Sequence, residues 1–319
     1  MSTLAMYGEI VFPAYNGRSA FKVRRISSVK IETSWKSLTD TAEIVLPRKV
    51  RDYDRNKIGE IFRVGDPVQI YLGYNGNLTL EFSGYISKAP AGVPLTISCE
   101  DEMYRLKRTS VSLSKKNCTL KELLQAVAPG YTIACDETKL LGLVRYVKQP
   151  GTQIFEDLKK QGIYCWFEGT TLHAFNASKN NVDPVPMLLE KTAAESLKQK
   201  AVEEVYVVIK LLRKAKKALK VEYGEKYGGK HLTREYAGLT LTESEMLSEA
   251  KKIYQQAKQP GLDGDVTLFG IPRVTHGMRI KLKSTYYPEK DGMYYIDAVT
   301  KTFDNQGYRQ QCKLGDKAV

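Results

Sequence analysis

Gly65-Asp-Pro-Val-Gln-Ile-Tyr-Leu-Gly-Tyr, then Asn75-Gly76, then an extended run from Leu78 to Ile86, is the stretch on which the fold turns. Val68, Ile70 and Leu72 alternate with other residues, so a strand here buries one face. Asn-Gly supplies two positions that tolerate positive φ, which a two-residue hairpin turn requires. The return strand closes on Ser83-Gly84-Tyr85-Ile86. Near the other end, Gly277-Met-Arg-Ile-Lys-Leu followed by Asp291-Gly292-Met-Tyr-Tyr-Ile repeats the plan. Each copy has a glycine, a strand with two aliphatic residues on one face, a loop, and a Gly-(x)-Tyr-Ile strand. The glycine-to-glycine gap is 19 residues in the first copy and 15 in the second. The repeat predicts two related β-barrels on either side of a different middle. Barrels also leave no open sheet edge, which matters in so strand-rich a chain.

Working outward, Gly8-Glu-Ile-Val-Phe, Lys22-Val-Arg-Arg-Ile, Val29-Lys-Ile-Glu-Thr and Ala42-Glu-Ile-Val-Leu read as strands. Arg48 to Lys57 reads as a charged loop, and Leu95-Thr-Ile-Ser-Cys as another strand. From residue 113 the pattern changes. Thr119 and Glu122 form a capping box opening a helix that stops at Pro129-Gly130. A second helix fits Thr152 to Gln161, ended by Gly162, and a hairpin fits Ile163 to Phe175. Residues 181–200 read as a polar connector. Two strands joined by a basic stretch follow, from Val205 to about Gly224, and the capping box Thr242–Glu245 opens a helix to about Lys258. The expected class is α+β, mainly β. The expected domains are 1–112, a first β-barrel; 113–180, a small α+β module; and 181–319, a second β-barrel with an inserted helix and hairpin at about 211–260.

The 319 residues are 42% hydrophobic and 27% charged, as in soluble globular chains. No apolar run is long enough to span a membrane, and the start lacks the basic and apolar regions of a secretory signal. Five widely spaced cysteines, with no C-x-x-C, read as buried reduced thiols. The net charge of +13 divides into +4, +3 and +6 over the three expected domains. So even a spread argues against a dedicated nucleic-acid reader. One cluster stands out: Lys210, Arg213, Lys214, Lys216, Lys217 and Lys220 fall within eleven residues that contain no acid. It reads either as a solvated hairpin tip or as a contact for an acidic partner. No hydrolase, zinc-protease or nucleotide-loop motif occurs. His276 reads as a loop residue, and Glu156-Asp157 as ordinary helix-face charge. No catalytic residue, metal site or cofactor is expected.

The last stretch carries a resemblance. Gly264-Asp-Val-Thr-Leu-Phe-Gly-Ile-Pro-Arg-Val-Thr-His-Gly-Met-Arg-Ile-Lys-Leu, then Tyr287-Pro-Glu-Lys-Asp-Gly-Met-Tyr-Tyr-Ile, then Gly307-Tyr-Arg-Gln, resembles the late-control-D family of phage tail proteins. Gly65 to Tyr74 with Phe82-Ser-Gly-Tyr-Ile looks like that family's first barrel. The positions that carry the likeness are Gly65, Gly84, Tyr85, Gly270, Pro272, Gly277, Pro288, Gly292, Gly307, Tyr308 and Arg309, structural residues and not catalytic ones. The resemblance implies two tail-tube-like barrels per subunit and a homotrimer forming a pseudo-sixfold ring. That ring joins a tail tube to a central spike in the baseplate of a contractile tail. Tail tube, spike and other baseplate proteins are the implied partners, with assembly in the bacterial host's cytoplasm. No specific nucleic-acid binding or membrane insertion is implied. A cell-wall carbohydrate-binding module, using Tyr164 and Trp166 of the 113–180 region, is the alternative.

Overall fold

The computed structural model describes residues 4–47, 61–89, 94–200, 204–213, 216–227, 229–237 and 239–318. The charged stretch Arg48–Lys57 lies outside them, as does Lys214.

The first strands are β1 (Met6–Phe12), β2 (Phe21–Val23), β3 (Ser28–Ser34), β4 (Thr41–Leu46), β5 (Pro67–Tyr74), β6 (Asn77–Lys88) and β7 (Leu95–Glu100). A short helix α1 (Met103–Leu106) leads to β8 (Ser110–Thr119), helix α2 (Leu120–Val127), β9 (Thr132–Cys135) and β10 (Leu140–Pro150). Helix α3 (Gly151–Lys160) precedes the hairpin β11 (Tyr164–Glu168) and β12 (Thr171–Phe175). Then come β13 (Val185–Leu188), β14 (Ala194–Glu195), β15 (Lys198–Gln199), β16 (Val205–Arg213), β17 (Lys216–Gly224), β18 (Lys230–Ala237) and helix α4 (Glu243–Ala257). The chain ends through β19 (Leu262–Asp263), β20 (Asp265–Phe269), β21 (Arg279–Lys283), β22 (Gly292–Asp304) and β23 (Gly307–Lys317).

These elements form two units. The first comprises Met1–Arg105, Lys179–Leu197 and Gly264–Ala318; the second comprises Leu106–Ser178 and Lys198–Asp263. The segment expected as an insertion, about 211–260, falls in the second unit.

The first unit is built on one antiparallel-dominated sheet in the order β14-β20-β23-β22-β3-β4-β7-β6-β5-β1-β2, with β21 on β22 and β13 on β21. The order contains the same plan twice. The first half runs β1-β5-β6-β7-β4-β3 across the sheet, and the second runs β13-β21-β22-β23-β20-β14. Strand for strand, the chain visits the two halves in the same sequence. The match reaches single hydrogen bonds. Gly65 N–H donates to Ile86 C=O at 2.8 Å and Ile86 N–H to Asp66 C=O at 2.9 Å; Gly277 N–H donates to Ile296 C=O at 2.7 Å and Ile296 N–H to Met278 C=O at 2.9 Å. Gly65 and Gly277 have φ of 91° and 80°, a region closed to most residues with a Cβ.

The halves differ at their outer edges. β1 pairs antiparallel with β5 and carries β2 on its far side, whereas β13 pairs in parallel with β21 and has no described strand beyond it. Of the 181–200 connector, 185–188 and 194–195 are thus strands of this sheet. Parallel pairing with a strand so distant in sequence has no local signature.

The expected closed barrels are not found: among the described residues none of the sheets closes on itself. The reason lies in β3, which adds to β22 of the other half over Val29–Ser34 and Ala298–Phe303. The ladder therefore runs on from one half into the next. The first half's interior is closed by side chains instead. Ile10, Phe12, Ile31, Ile44, Ile70, Leu72 and Ile97 form a fully enclosed core, and Tyr308 from β23 packs into it.

In the second unit, β8 and β10 form a ribbon, and β11-β12-β9 and β17-β16-β18 form three-stranded sheets. Both predicted capping boxes are present: Thr119 Oγ1 accepts from Glu122 N–H, and Thr242 Oγ1 from Glu245 N–H. Helix α4 clusters Met246 and Ala250 with Val207 and Ile209 of β16. The hairpin at 205–224 is formed, and β18, which was not among the expected strands, pairs in parallel with β16.

Candidate functional site

One surface follows directly from the strand alternation. In β3, Val29 and Ile31 are buried while Lys30 and Glu32 face out. The same alternation in the neighbouring strands sets their outward residues in register. Thr267, Gln311, Thr300, Glu32, Thr41 and Glu100 form one row across β20-β23-β22-β3-β4-β7. Phe269, Arg309, Thr302, Lys30, Glu43 and Ser98 form the next. Apart from Phe269 at its β20 end, the six-stranded face is polar and rich in hydroxyls. Glu32, Glu43, Glu100 and Asp265 stand against Lys30, Arg309 and Lys313, so the face is close to neutral although the chain carries +13.

The junction between the halves is pinned at its end. Asp297 is buried; it accepts Trp35 Nε1–H at 3.1 Å and pairs with the Lys36 ammonium. A cleft of about 470 Å³ opens beside it, lined by Ser34, Ser37, Thr39, Asp297 and Lys313.

A second cluster lies inside. Glu81 of β6 pairs with Lys301 of β22, and Arg273 Nε lies 3.0 Å from the same carboxylate. Burial holds the Lys301 ammonium below the ordinary lysine value, with Glu81 opposing the shift. Tyr74 Oη donates to Tyr308 C=O at 3.2 Å beside them. Sequence reading missed this cluster. Its one signal was a charged residue at an inward position of an alternating strand, at Glu81 and again at Lys301.

The residues singled out from the sequence occupy packing positions. A Cβ on Gly84 would collide with the Glu100 backbone, and one on Gly270 with the Tyr308 ring. Tyr85 is buried, stacks on Tyr104 at 5.7 Å and donates its hydroxyl to Glu102. Pro272 follows a cis peptide bond, and Pro288 opens a 3-10 turn. Gly292 and Gly307 begin β22 and β23. Arg309 lies over the Phe269 ring at 4.6 Å.

In the basic run, Lys210 pairs with Glu235 at 3.0 Å and Lys220 pairs with Glu222. The acids absent from the run itself come from β18 and from further along β17. Arg213 and Lys217 are exposed, and the backbone pairs Arg213 with Lys216 across the hairpin.

His276 is buried, and Asp157 is held by Tyr146, Gln153 and Lys160. All five cysteines are free, and Cys99, Cys118, Cys165 and Cys312 are buried. Burial pushes the Cys312 thiol up to about 12, far from a reactive thiolate. Among the described residues no cluster of His, Cys, Asp or Glu could hold a metal, and no helix is long and apolar enough to cross a membrane. Trp166, the aromatic a sugar site would need, is 3% exposed and stacks on His173 at 5.4 Å.

Solved structures share this fold. A tail protein from Neisseria meningitidis MC58 superposes with a TM-score of 0.69 at 14% identity, over 98% of this chain and 97% of that one. The 43 kDa tail protein of prophage MuSo2 from Shewanella oneidensis gives 0.67 at 15% identity, over 97% and 98%. An E. coli component of the type VI secretion system, described as structurally similar to the T4 bacteriophage tail proteins gp27 and gp5, gives 0.58 at 11% identity, over 92% and 74%. No protein-family model and no curated protein sequence matches the chain.

Proposed function

The chain has the fold of phage tail proteins, and from that fold we propose that it is a structural baseplate hub subunit of a phage-like contractile tail. Three copies form a pseudo-sixfold ring that joins the tail tube to the central spike, with no catalytic step. The observation that carries this reading is the duplicated strand order, matched down to the Gly65–Ile86 and Gly277–Ile296 hydrogen bonds. A chain with two equivalent tube-like halves, repeated three times, presents six equivalent elements. That is the geometry needed where a sixfold tube meets a threefold spike. The β3–β22 ladder supports it, since a junction already made between halves within the chain can be repeated between chains.

The polar, nearly neutral sheet face then lines the bore. A wall that guides a polyanion should not hold it, and fixed positive charge is what holds phosphate. Arg213 and Lys217 of the basic run face away from the bore, toward an acidic partner in the baseplate. Tail tube, spike and neighbouring baseplate proteins are the partners, and the subunit is assembled in the bacterial host's cytoplasm into the virion tail.

The test is imaging of tail particles that carry a labelled copy of this subunit. Label density at the tube–spike junction is expected. Density elsewhere, or Arg213 and Lys217 lining the bore, overturns the reading.

A further inference from the structure

On the second half of the first unit, a groove of about 590 Å³ has an apolar floor formed by Pro186, Leu188, Phe269 and Ile271. Phe269 is 46% exposed and Ile271 50%, so the floor meets water directly. Its walls carry Lys191, Lys281 and Lys283. No carboxylate lines the groove, and none of the three lysines forms an ion pair among the described residues. Elsewhere on this molecule exposed lysines such as Lys30, Lys115, Lys121 and Lys160 do find carboxylates. Three lysines left without acids around exposed apolar side chains are a recognition surface lacking its counterpart. One side of the groove is β13, which has β21 on one edge and no described strand on the other.

We propose that this groove docks an extended acidic segment of a different protein, one whose apolar side chains alternate with carboxylates. Alternation follows from an extended chain lying along a sheet edge, which turns successive side chains to opposite sides. One set enters the apolar floor while the carboxylates meet Lys191, Lys281 and Lys283. A second copy of this chain is a poor occupant, because at +13 it brings no excess of carboxylates to meet the three lysines. Nucleic acid is a poorer fit too, since bases can stack on Phe269 but leave the aliphatic Leu188 and Ile271 without an apolar partner. The groove is also pre-shaped. Glu190, next to Lys191, accepts from Ser284 Oγ at 2.7 Å and Thr285 N–H at 2.9 Å, which fixes the chain just past Lys283. The proposal goes beyond the hub reading and stands or falls separately from it.

Fluorescence anisotropy with the intact chain tests this. The probes are short labelled peptides alternating Glu with Leu, Lys with Leu, and Glu with Ser, and a short single-stranded DNA. The Glu-Leu peptide is expected to bind best and the Lys-Leu peptide not at all. Lys281→Glu with Lys283→Glu should weaken Glu-Leu binding by roughly tenfold or more, equivalent to about 1.4 kcal/mol. Phe269→Asp should do the same, with unfolding temperature unchanged because these side chains are exposed. Any of four results overturns the proposal: variants that bind as wild type, DNA binding as well as the Glu-Leu peptide, Glu-Ser matching Glu-Leu, or wild-type self-association abolished by Phe269→Asp. The last would make the occupant a second copy. None of the four bears on where the subunit sits in a tail.

Discussion

Lys301 keeps an ammonium where only 3% of its side chain meets water, and the carboxylate of Glu81 beside it is 2% exposed. Such a pair adds little net stability when intact, but removing one partner strands the other charge in a low-dielectric interior. Glu81→Leu should therefore destabilise the chain by about 3–5 kcal/mol, and adding Lys301→Met should restore most of the loss. Denaturant unfolding of both variants checks this; equal midpoints would mean that the charges do not depend on each other. Glu9 offers a titratable counterpart. It is buried, with Lys22 Nζ at 2.7 Å and Arg24 Nε at 2.8 Å, and these bonds hold its carboxyl below its ordinary 4.5. A lowered folded value stabilises above the ordinary value and is lost as pH falls through the folded one. Wild type should exceed Glu9→Gln in unfolding temperature at neutral pH, and the gap should shrink below pH 4.5. A gap independent of pH would contradict the sign.

At the scale of elements, the sequence announced whatever has a local cause. The capping boxes at Thr119 and Thr242 start helices because their hydroxyls meet orphan N–H groups nearby. The 3.6- and 2-residue periods gave the helices and most strands. The repeated glycine was legible as well, and its reason is conformational. At Gly65 and Gly277 an L-residue would enter the left-handed region at a cost of about 1–2 kcal/mol. Gly65→Ala and Gly277→Ala should thus lower stability by similar amounts, measured by thermal unfolding; a large loss at one and none at the other would break the equivalence of the halves. What was not legible depended on distant partners. β13 is a strand because β21 is there to receive it, and β18 because β16 is. The closed barrels expected from the pattern are not found among the described residues, where β3 pairs with β22 of the other half. The polar face was half legible: Val29 to Thr33 showed its alternation, but the rows across six strands exist only once the register is set. Glu81 and Lys301 each show as a charge at an inward position of an alternating strand, but nothing in either period pairs them across 220 residues.

For the whole molecule, duplication is the organising fact. One chain carries the same strand order twice, joined edge to edge, and interrupts the second copy between β14 and β20 with residues of the second unit. The pseudo-sixfold hub account reads that duplication as an adaptor between symmetries. Electron cryomicroscopy of the tail tip, reconstructed without imposed symmetry, tests it most directly. The account predicts three copies of this chain around the tail axis, their six halves spaced at near-equal angles, with the face bearing Glu32, Thr300 and Gln311 toward the bore. Six copies in the ring, or copies placed off the axis with that face turned outward, would contradict it.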